Sequence, residues 1–218
     1  YVYIGLPPLY KIKQGKNEIY LKDDAALDAY LAGNAVEGAQ LIPAAGEPAI
    51  EGLALERLLL DFAAAKEAIA RNAHRYDPAV LELLLDAAPL SGDAEAAQDA
   101  LRALEGRLNQ SGLGRPRYRF SVQPANESRG AVLTIERQHM GVDLIQMVPL
   151  AALESGDLRA VGEVARQLHG LIREGAQIVR GNRAQPVKTF AGAQAWLLEE
   201  AKKGRQIQRF KGLGEMNP

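Results

Sequence analysis

Apolar residues recur along this chain with two different periods, and the changes of period divide it. Tyr1-Val2-Tyr3-Ile4 alternates aromatic and β-branched residues, a strand signal that Pro7-Pro8 interrupts. Leu9-Tyr10-Lys11-Ile12-Lys13 and Glu18-Ile19-Tyr20-Leu21 alternate on either side of Gln14-Gly15-Lys16-Asn17, the pattern of a β-hairpin. Asp23 or Asp24 can cap a short helix expected to reach about Ala32 and to stop at Gly33-Asn34. Gln40-Leu41-Ile42, before Pro43, reads as a short strand. From about Gly52 to Arg75 the period turns helical. Leu55, Leu58, Leu59, Phe62, Ala65, Ile69 and Ala73 share one face, with Glu56, Lys66, Glu67 and Arg71 on the other. Asp77-Pro78 opens a second helix that buries Val80, Leu81, Leu84 and Leu85, and Asp93 opens a third with Ala97, Leu101, Leu104 and Leu108 in line.

Ser111-Gly112-Leu113-Gly114 has the composition of a linker, and beyond it the period drops to two. Tyr118, Phe120 and Val122 point one way, Arg117, Arg119 and Ser121 the other. Val132–Arg137 and Val142–Met147 form two further strands around His139-Met140-Gly141. A helix from about Leu158 to Arg173, a strand over Gln177–Arg180 and a turn at Gly181-Asn182 follow. Thr189 caps a last helix that carries Ala193, Trp196, Leu197 and Ala201 and closes at Gly204. Arg205–Phe210 is a last strand. The expected fold class is α+β, with no internal repeat.

Composition narrows the class without naming a function. The 218 residues are 47% hydrophobic and 24% charged, which excludes a wholly disordered chain and suffices for a buried core. The absence of cysteine excludes disulfides, thiolate metal sites and cysteine nucleophiles. No apolar run approaches the ~20 residues of a membrane span, and no signal peptide is visible, so a cytoplasmic, membrane-free protein is expected. The chain opens inside an apolar run without an initiator Met and stops at Met216-Asn217-Pro218, as a piece of a longer protein would.

Charge changes the picture more. The formal net charge of −1 conceals blocks: residues 23–110 hold sixteen acidic against six basic side chains, whereas 111–188 hold seven acidic against eleven basic. Both chain ends are basic. A basic block can meet phosphates, and a strongly acidic one is repelled by them.

The densest chemical signal is Gln208-Arg209-Phe210-Lys211-Gly212-Leu213-Gly214-Glu215. A strand running into Lys-Gly-x-Gly delivers an ammonium beside two permissive backbone positions where main-chain N–H groups can approach an anion. The residues by themselves read first as a plain turn leaving a strand, with a phosphate-facing loop as the other reading. Arg115, Arg117 and Arg119, interleaved with Tyr118 and Phe120, read either as a strand lining nucleic acid or as a solvated face opposite a buried aromatic one. Lys11, Lys13 and Lys16 are either DNA contacts or edge-strand lysines that block aggregation. Trp196 reads as a helix anchor against the hairpin. His74, His139 and His169 fit no metal-ligand spacing.

Gln208-Arg209-Phe210-Lys211-Gly212-Leu213-Gly214-Glu215-Met216-Asn217-Pro218 resembles the stretch that ends the Toprim domain of bacterial type IIA topoisomerase B subunits, where Tyr is usual at the place of Phe210. Val2-Tyr3-Ile4-Gly5-Leu6-Pro7-Pro8-Leu9-Tyr10-Lys11 resembles the same family's strand and hairpin, where Gln is usual in place of Leu6. The long separation of the two motifs resembles the large insertion of the gyrase form in many Gram-negative bacteria.

The resemblance implies a partial Toprim unit from residues 1–23 and 188–218, a small sheet plus a helix. It implies an inserted α+β domain over 24–187, acidic and mainly helical over 24–110, with strands and a helix over 111–187. It implies a parent enzyme that uses ATP and Mg²⁺ to introduce negative supercoils, in a heterotetramer with the gyrase A subunit and with DNA. The family's Glu-Gly-Asp-Ser and Asp-x-Asp motifs for Mg²⁺ do not occur here. The piece alone is therefore expected to be inactive, with no catalytic or metal-binding residue and no bound Mg²⁺ or ATP. Candidate DNA-binding residues are Lys211, Arg209, Gly212, Gly214, Arg115, Arg117 and Arg119. A fragment of the topoisomerase IV B subunit and an autonomous protein-interaction module are the alternatives.

Overall fold

The computed structural model describes residues 8–85, 94–109, 116–127, 130–154 and 156–210. They form a mixed fold of six α-helices and three antiparallel sheets, in two compact units. One unit joins the residues up to Leu60 with those from Ile172, and the other comprises Asp61–Leu171.

In the first unit the two chain ends share a sheet. Strands β1 (Tyr10–Gln14) and β2 (Asn17–Leu21) form the expected hairpin, and β10 (Gln206–Arg209) pairs with the other side of β1. Ile12 lies opposite Ile19 on one side and Ile207 on the other, and it is buried. With β1 in the middle, Lys11 and Lys13 are not edge-strand lysines, a correction to one sequence reading. Lys11 instead pairs with Glu18 of β2 at 2.8 Å.

Helix α1 (Asp24–Val36) is capped by Asp23, whose carboxylate accepts from the Ala26 N–H at 2.8 Å. It does not stop at Gly33-Asn34 as expected. The left-handed stop falls at Gly38, with φ of 67°. Asn34 stays helical because every polar group it carries is used there. Its Nδ2 donates to the Tyr30 carbonyl at 2.7 Å, Arg205 donates to its Oδ1 at 2.8 Å, and Arg180 donates to its main-chain carbonyl at 2.8 Å.

Helix α6 (Phe190–Lys202), capped by Thr189, packs against α1 and against β8 (Gln177–Arg180). The buried positions of α1 are Leu31, Ala32 and Ala35, and those of α6 are Phe190, Ala193, Leu197 and Ala201, so alanines supply four of the seven and suit close helix packing. Trp196 on α6 stays partly exposed. A second sheet runs β4 (Ile50–Glu51), β3 (Ala39–Ile42), β8, β9 (Arg183–Pro186). The chain enters the other unit within α2 (Gly52–Arg71).

In the second unit α2 ends at Arg71, short of the expected Arg75. Asn72 is buried and turns its Nδ2 back onto the Ala68 carbonyl at 2.9 Å, competing with the helical ladder. Asp77 caps α3 (Pro78–Leu84), as read from the sequence. Helix α4 (Ala94–Asn109) buries Ala97, Leu101 and Leu104. The third sheet has the order β5 (Arg117–Gln123), β6 (Val132–His139), β7 (Val142–Pro149). The β6–β7 turn places Met140 and Gly141 at φ of 51° and 76°, the mirror-image turn that suits a two-residue hairpin. Two 3₁₀ turns, Leu150–Leu153 and Gly156–Leu158, precede α5 (Arg159–Leu168), which is shorter than expected at its C-terminal end.

Candidate nucleic-acid interface

Strand β5 carries the candidates Arg117 and Arg119, and α4 fixes it in place. Gln98, Glu105 and Asn109 recur on α4 at seven- and four-residue steps, so they share one face. Each reaches the β5 backbone. The Tyr118 N–H donates to Asn109 Oδ1 at 2.8 Å, the Phe120 N–H to Glu105 at 3.1 Å, and the Val122 N–H to Gln98 Oε1 at 3.0 Å. In return Asn109 and Gln98 donate to the carbonyls of Tyr118 and Phe120. The helix thus supplies the hydrogen bonds a neighbouring strand would give.

The alternation read from the sequence then decides which way the side chains face. Tyr118 and Phe120 are buried, their rings stacked at 6.2 Å between centroids, and Arg117 and Arg119 point outward. Arg119 lies 3.8 Å from Glu136, an exposed and weak pairing. Tyr118 donates to Asp77 at 3.1 Å, and Arg137 approaches the same carboxylate at 3.6 Å. Burial, with the neighbouring Asp77 charge behind it, pushes the Tyr118 hydroxyl above its ordinary pKa. A cleft of about 520 Å³ opens here, where Arg117, Arg119 and Arg137 face Glu105, Glu136 and Asp143. The matched charges make it a mixed surface rather than a cationic pocket. Sequence reasoning missed Arg137 and Asp77, whose meeting spans a separation that no local pattern encodes, and Asn109, whose partner Tyr118 lies in the next element.

The other candidates lie elsewhere. Arg209 is exposed on β10, opposite Tyr10, in the first unit. Beside it Phe210 stacks on Tyr20 at 6.5 Å, and the Lys11 ammonium lies 5.6 Å from the Tyr20 ring centre. Lys211, Gly212, Gly214 and Arg115 lie outside the described residues. Among the described residues no three His, Asp or Glu side chains gather to hold a metal ion. Among them, too, no helix is long and apolar enough to cross a membrane.

Residues 39–201 match the family model of the DNA gyrase B subunit insert domain, and residues 8–36 match that of the GyrB hook. The chain belongs to the DNA gyrase B subunit family. Among its curated gyrase relatives, the DNA gyrase B subunit of Caulobacter vibrioides is 34% identical over the whole chain. The DNA gyrase B subunit of Rickettsia typhi is 27% identical, and the type 2 topoisomerase B subunit of Aquifex aeolicus 30%, each again over the whole chain. The chain spans 26% of the length of each of these relatives. The gyrase hook match takes in β1, β2 and α1, and the gyrase insert match runs from β3 into α6.

Proposed function

We propose that this chain is the segment of a gyrase B subunit that completes the Toprim domain and carries its insertion. Residues 1–23 and 188–218 belong to the Toprim part and 24–187 to the insertion. The whole enzyme is then an ATP-hydrolysing, Mg²⁺-dependent type IIA topoisomerase of the cytoplasm that supercoils DNA together with the A subunit. The observation that carries this reading is the match of the entire chain to proteins named as DNA gyrase B subunits. The Aquifex relative, named only as a type 2 topoisomerase B subunit, keeps a topoisomerase IV-like parent as the second reading.

Within the insertion, β5 is the DNA-facing element. Arg117 and Arg119 stand two residues apart on one outward strand face, in the stretch that carries the basic excess. A duplex presents a charge about every 1.7 Å, so such a face gains by approaching it while the acidic helices do not. The mixed charges of the neighbouring cleft keep the contact weak and sensitive to salt. Lys211, with Gly212 and Gly214, acts beside the DNA backbone or orders the cleavage site of the whole enzyme.

The deciding experiment changes Arg115, Arg117 and Arg119 together to Glu in the assembled enzyme. DNA affinity should fall and its dependence on salt should flatten. An unchanged affinity and salt slope would remove β5 from the interface. Lys211→Ala in the full subunit should impair cleavage or supercoiling with little effect on folding, and wild-type activity would discard Lys211. The 218-residue chain alone should turn over no ATP, and turnover that tracks it through purification would refute the reading of an inactive segment.

A further inference from the structure

The charges around β5 divide into those already engaged and those still free to act on a ligand. Glu105 is engaged by the Phe120 N–H, and Arg137 by Asp77 on the face of the sheet where Tyr118 is buried. Four charges stand on the opposite, outward face. Directly opposed residues of antiparallel strands share a face, so the register arranges that face in rows. Arg117, Gln138 and Asp143 make one row, and Arg119, Glu136 and Ile145 the next. All six are exposed.

The two arginines are not placed alike in these rows. Arg119 faces Glu136 on the adjoining strand, about 5 Å away across the ladder, and their side chains meet at 3.8 Å. Arg117 faces the neutral Gln138. The acid in its row, Asp143, is two strands or about 10 Å off, beyond the roughly 8 Å screening length of physiological salt. Among the described residues Arg117 forms no ion pair. Residues 111–188 hold seven acidic side chains, and Glu136 is the one that the register sets directly opposite an arginine of β5.

We propose that Glu136 is a brake on this face: it holds Arg119 back from phosphate and leaves Arg117 as the principal DNA contact of the two. The proposal rests on the reading of β5 as the DNA-facing element. A phosphate brought to the face is attracted by Arg119 and repelled by Glu136 from almost the same place, so the two nearly cancel. Arg117 meets the same phosphate with its charge uncompensated. The Arg119–Glu136 pairing is exposed on both sides and therefore weak, so it restrains the arginine without locking it away. A contact limited in this way is made and broken readily.

Binding of a linear duplex to the assembled enzyme, measured over a series of salt concentrations, tests this in a double-mutant cycle. Glu136→Gln keeps the shape and removes the charge. It should tighten binding about threefold to tenfold and steepen the log–log salt slope by about one phosphate contact. In the Arg119→Gln background most of that gain should vanish. Arg117→Gln alone should weaken binding more than Arg119→Gln alone. Glu67→Gln removes the same charge from α2, where Glu67 pairs with Arg71 at 3.5 Å, and should leave affinity and slope unchanged. A gain that survives whole without Arg119, or that Glu67→Gln reproduces, would reduce Glu136 to one charge among many and overturn the proposal. So would the absence of any gain from Glu136→Gln in an enzyme that Arg117→Gln weakens, an outcome that keeps β5 at the DNA. If none of the Arg117, Arg119 and Glu136 variants moves affinity or slope, the DNA-facing reading of β5 falls, and the brake with it.

Discussion

Asn109 and Tyr118 exchange two hydrogen bonds of 2.8 Å, one in each direction, between a side-chain amide on α4 and the main chain of β5. The amide offers a donor and an acceptor with the geometry of a peptide group, so it stands in for one residue of a missing strand. It also ties the outward position of Arg117 and Arg119 to the helix that precedes them in the chain.

Removing that amide should loosen the strand. Asn109→Ala leaves a donor and an acceptor of β5 without their partner, at a cost of about 1–3 kcal/mol. Asn109→Asp should be no milder, because an oxygen then faces the Tyr118 carbonyl. Urea unfolding measures both. Arg102→Ala, which removes only an exposed ion pair with Asp99, should change stability by less than about 1 kcal/mol.

Gly162 sets how closely α5 meets the preceding 3₁₀ turn. A Cβ there would lie 1.9 Å from the Leu153 carbonyl oxygen and 2.9 Å from its carbon, and both are backbone atoms that cannot swing aside. Gly162→Ala should therefore destabilise by more than about 2 kcal/mol, despite alanine's better helix propensity. A thermal midpoint equal to wild type would show that the contact relaxes freely.

Two tyrosines should ionise late. Tyr10 donates to Asp24 at 2.5 Å, and that hydrogen bond, with burial behind it, holds its hydroxyl above the ordinary value. Tyr118 is raised by burial first and by Asp77 second. In each the folded pKa exceeds the unfolded one. The stability they contribute is therefore full below the usual tyrosine pKa of about 10 and is lost as pH rises through the higher folded value. Ultraviolet titration should resolve a late component, and Tyr10→Phe and Tyr118→Phe should each remove part of it. A single uniform transition near the ordinary value in the wild type would contradict the raised pair.

The acidic helices should be silent in DNA binding. Changing Glu56, Asp61 and Glu67 of α2 together to Ala removes three charges of the acidic block, which phosphates repel. Filter binding of the assembled enzyme should give nearly unchanged affinity and salt slope. A strong change here, with none for the β5 arginines, would turn the arm the other way round.

Local order was legible wherever a side chain acts on its own neighbourhood. The caps of Asp23, Asp77 and Thr189, the hairpin at Gly15, and the alternation of Tyr118 and Phe120 against Arg117 and Arg119 all follow from short-range sterics and hydrogen bonding. The family motifs at the two ends were legible for the same reason: they are contiguous. Strand β9 was not legible. Arg183-Ala184-Gln185-Pro186 is exposed throughout and has no apolar alternation, and it is a strand only because the turn at Gly181 folds it onto β8.

What the amino-acid order determined by itself was therefore most of the elements, β4 and β9 excepted, and the basic and acidic blocks along them. The tertiary structure alone decided which element meets which. It placed β1 between β2 and β10, so Lys11 faces Glu18 and does not guard an edge. It carried Asn34 past its expected helix stop, because Arg180 and Arg205 arrive from more than a hundred residues away. It sealed β5 with the side chains of α4. Such pairings depend on which polar groups find partners and which apolar faces find cover once the chain closes on itself, and neither is a property of any short window.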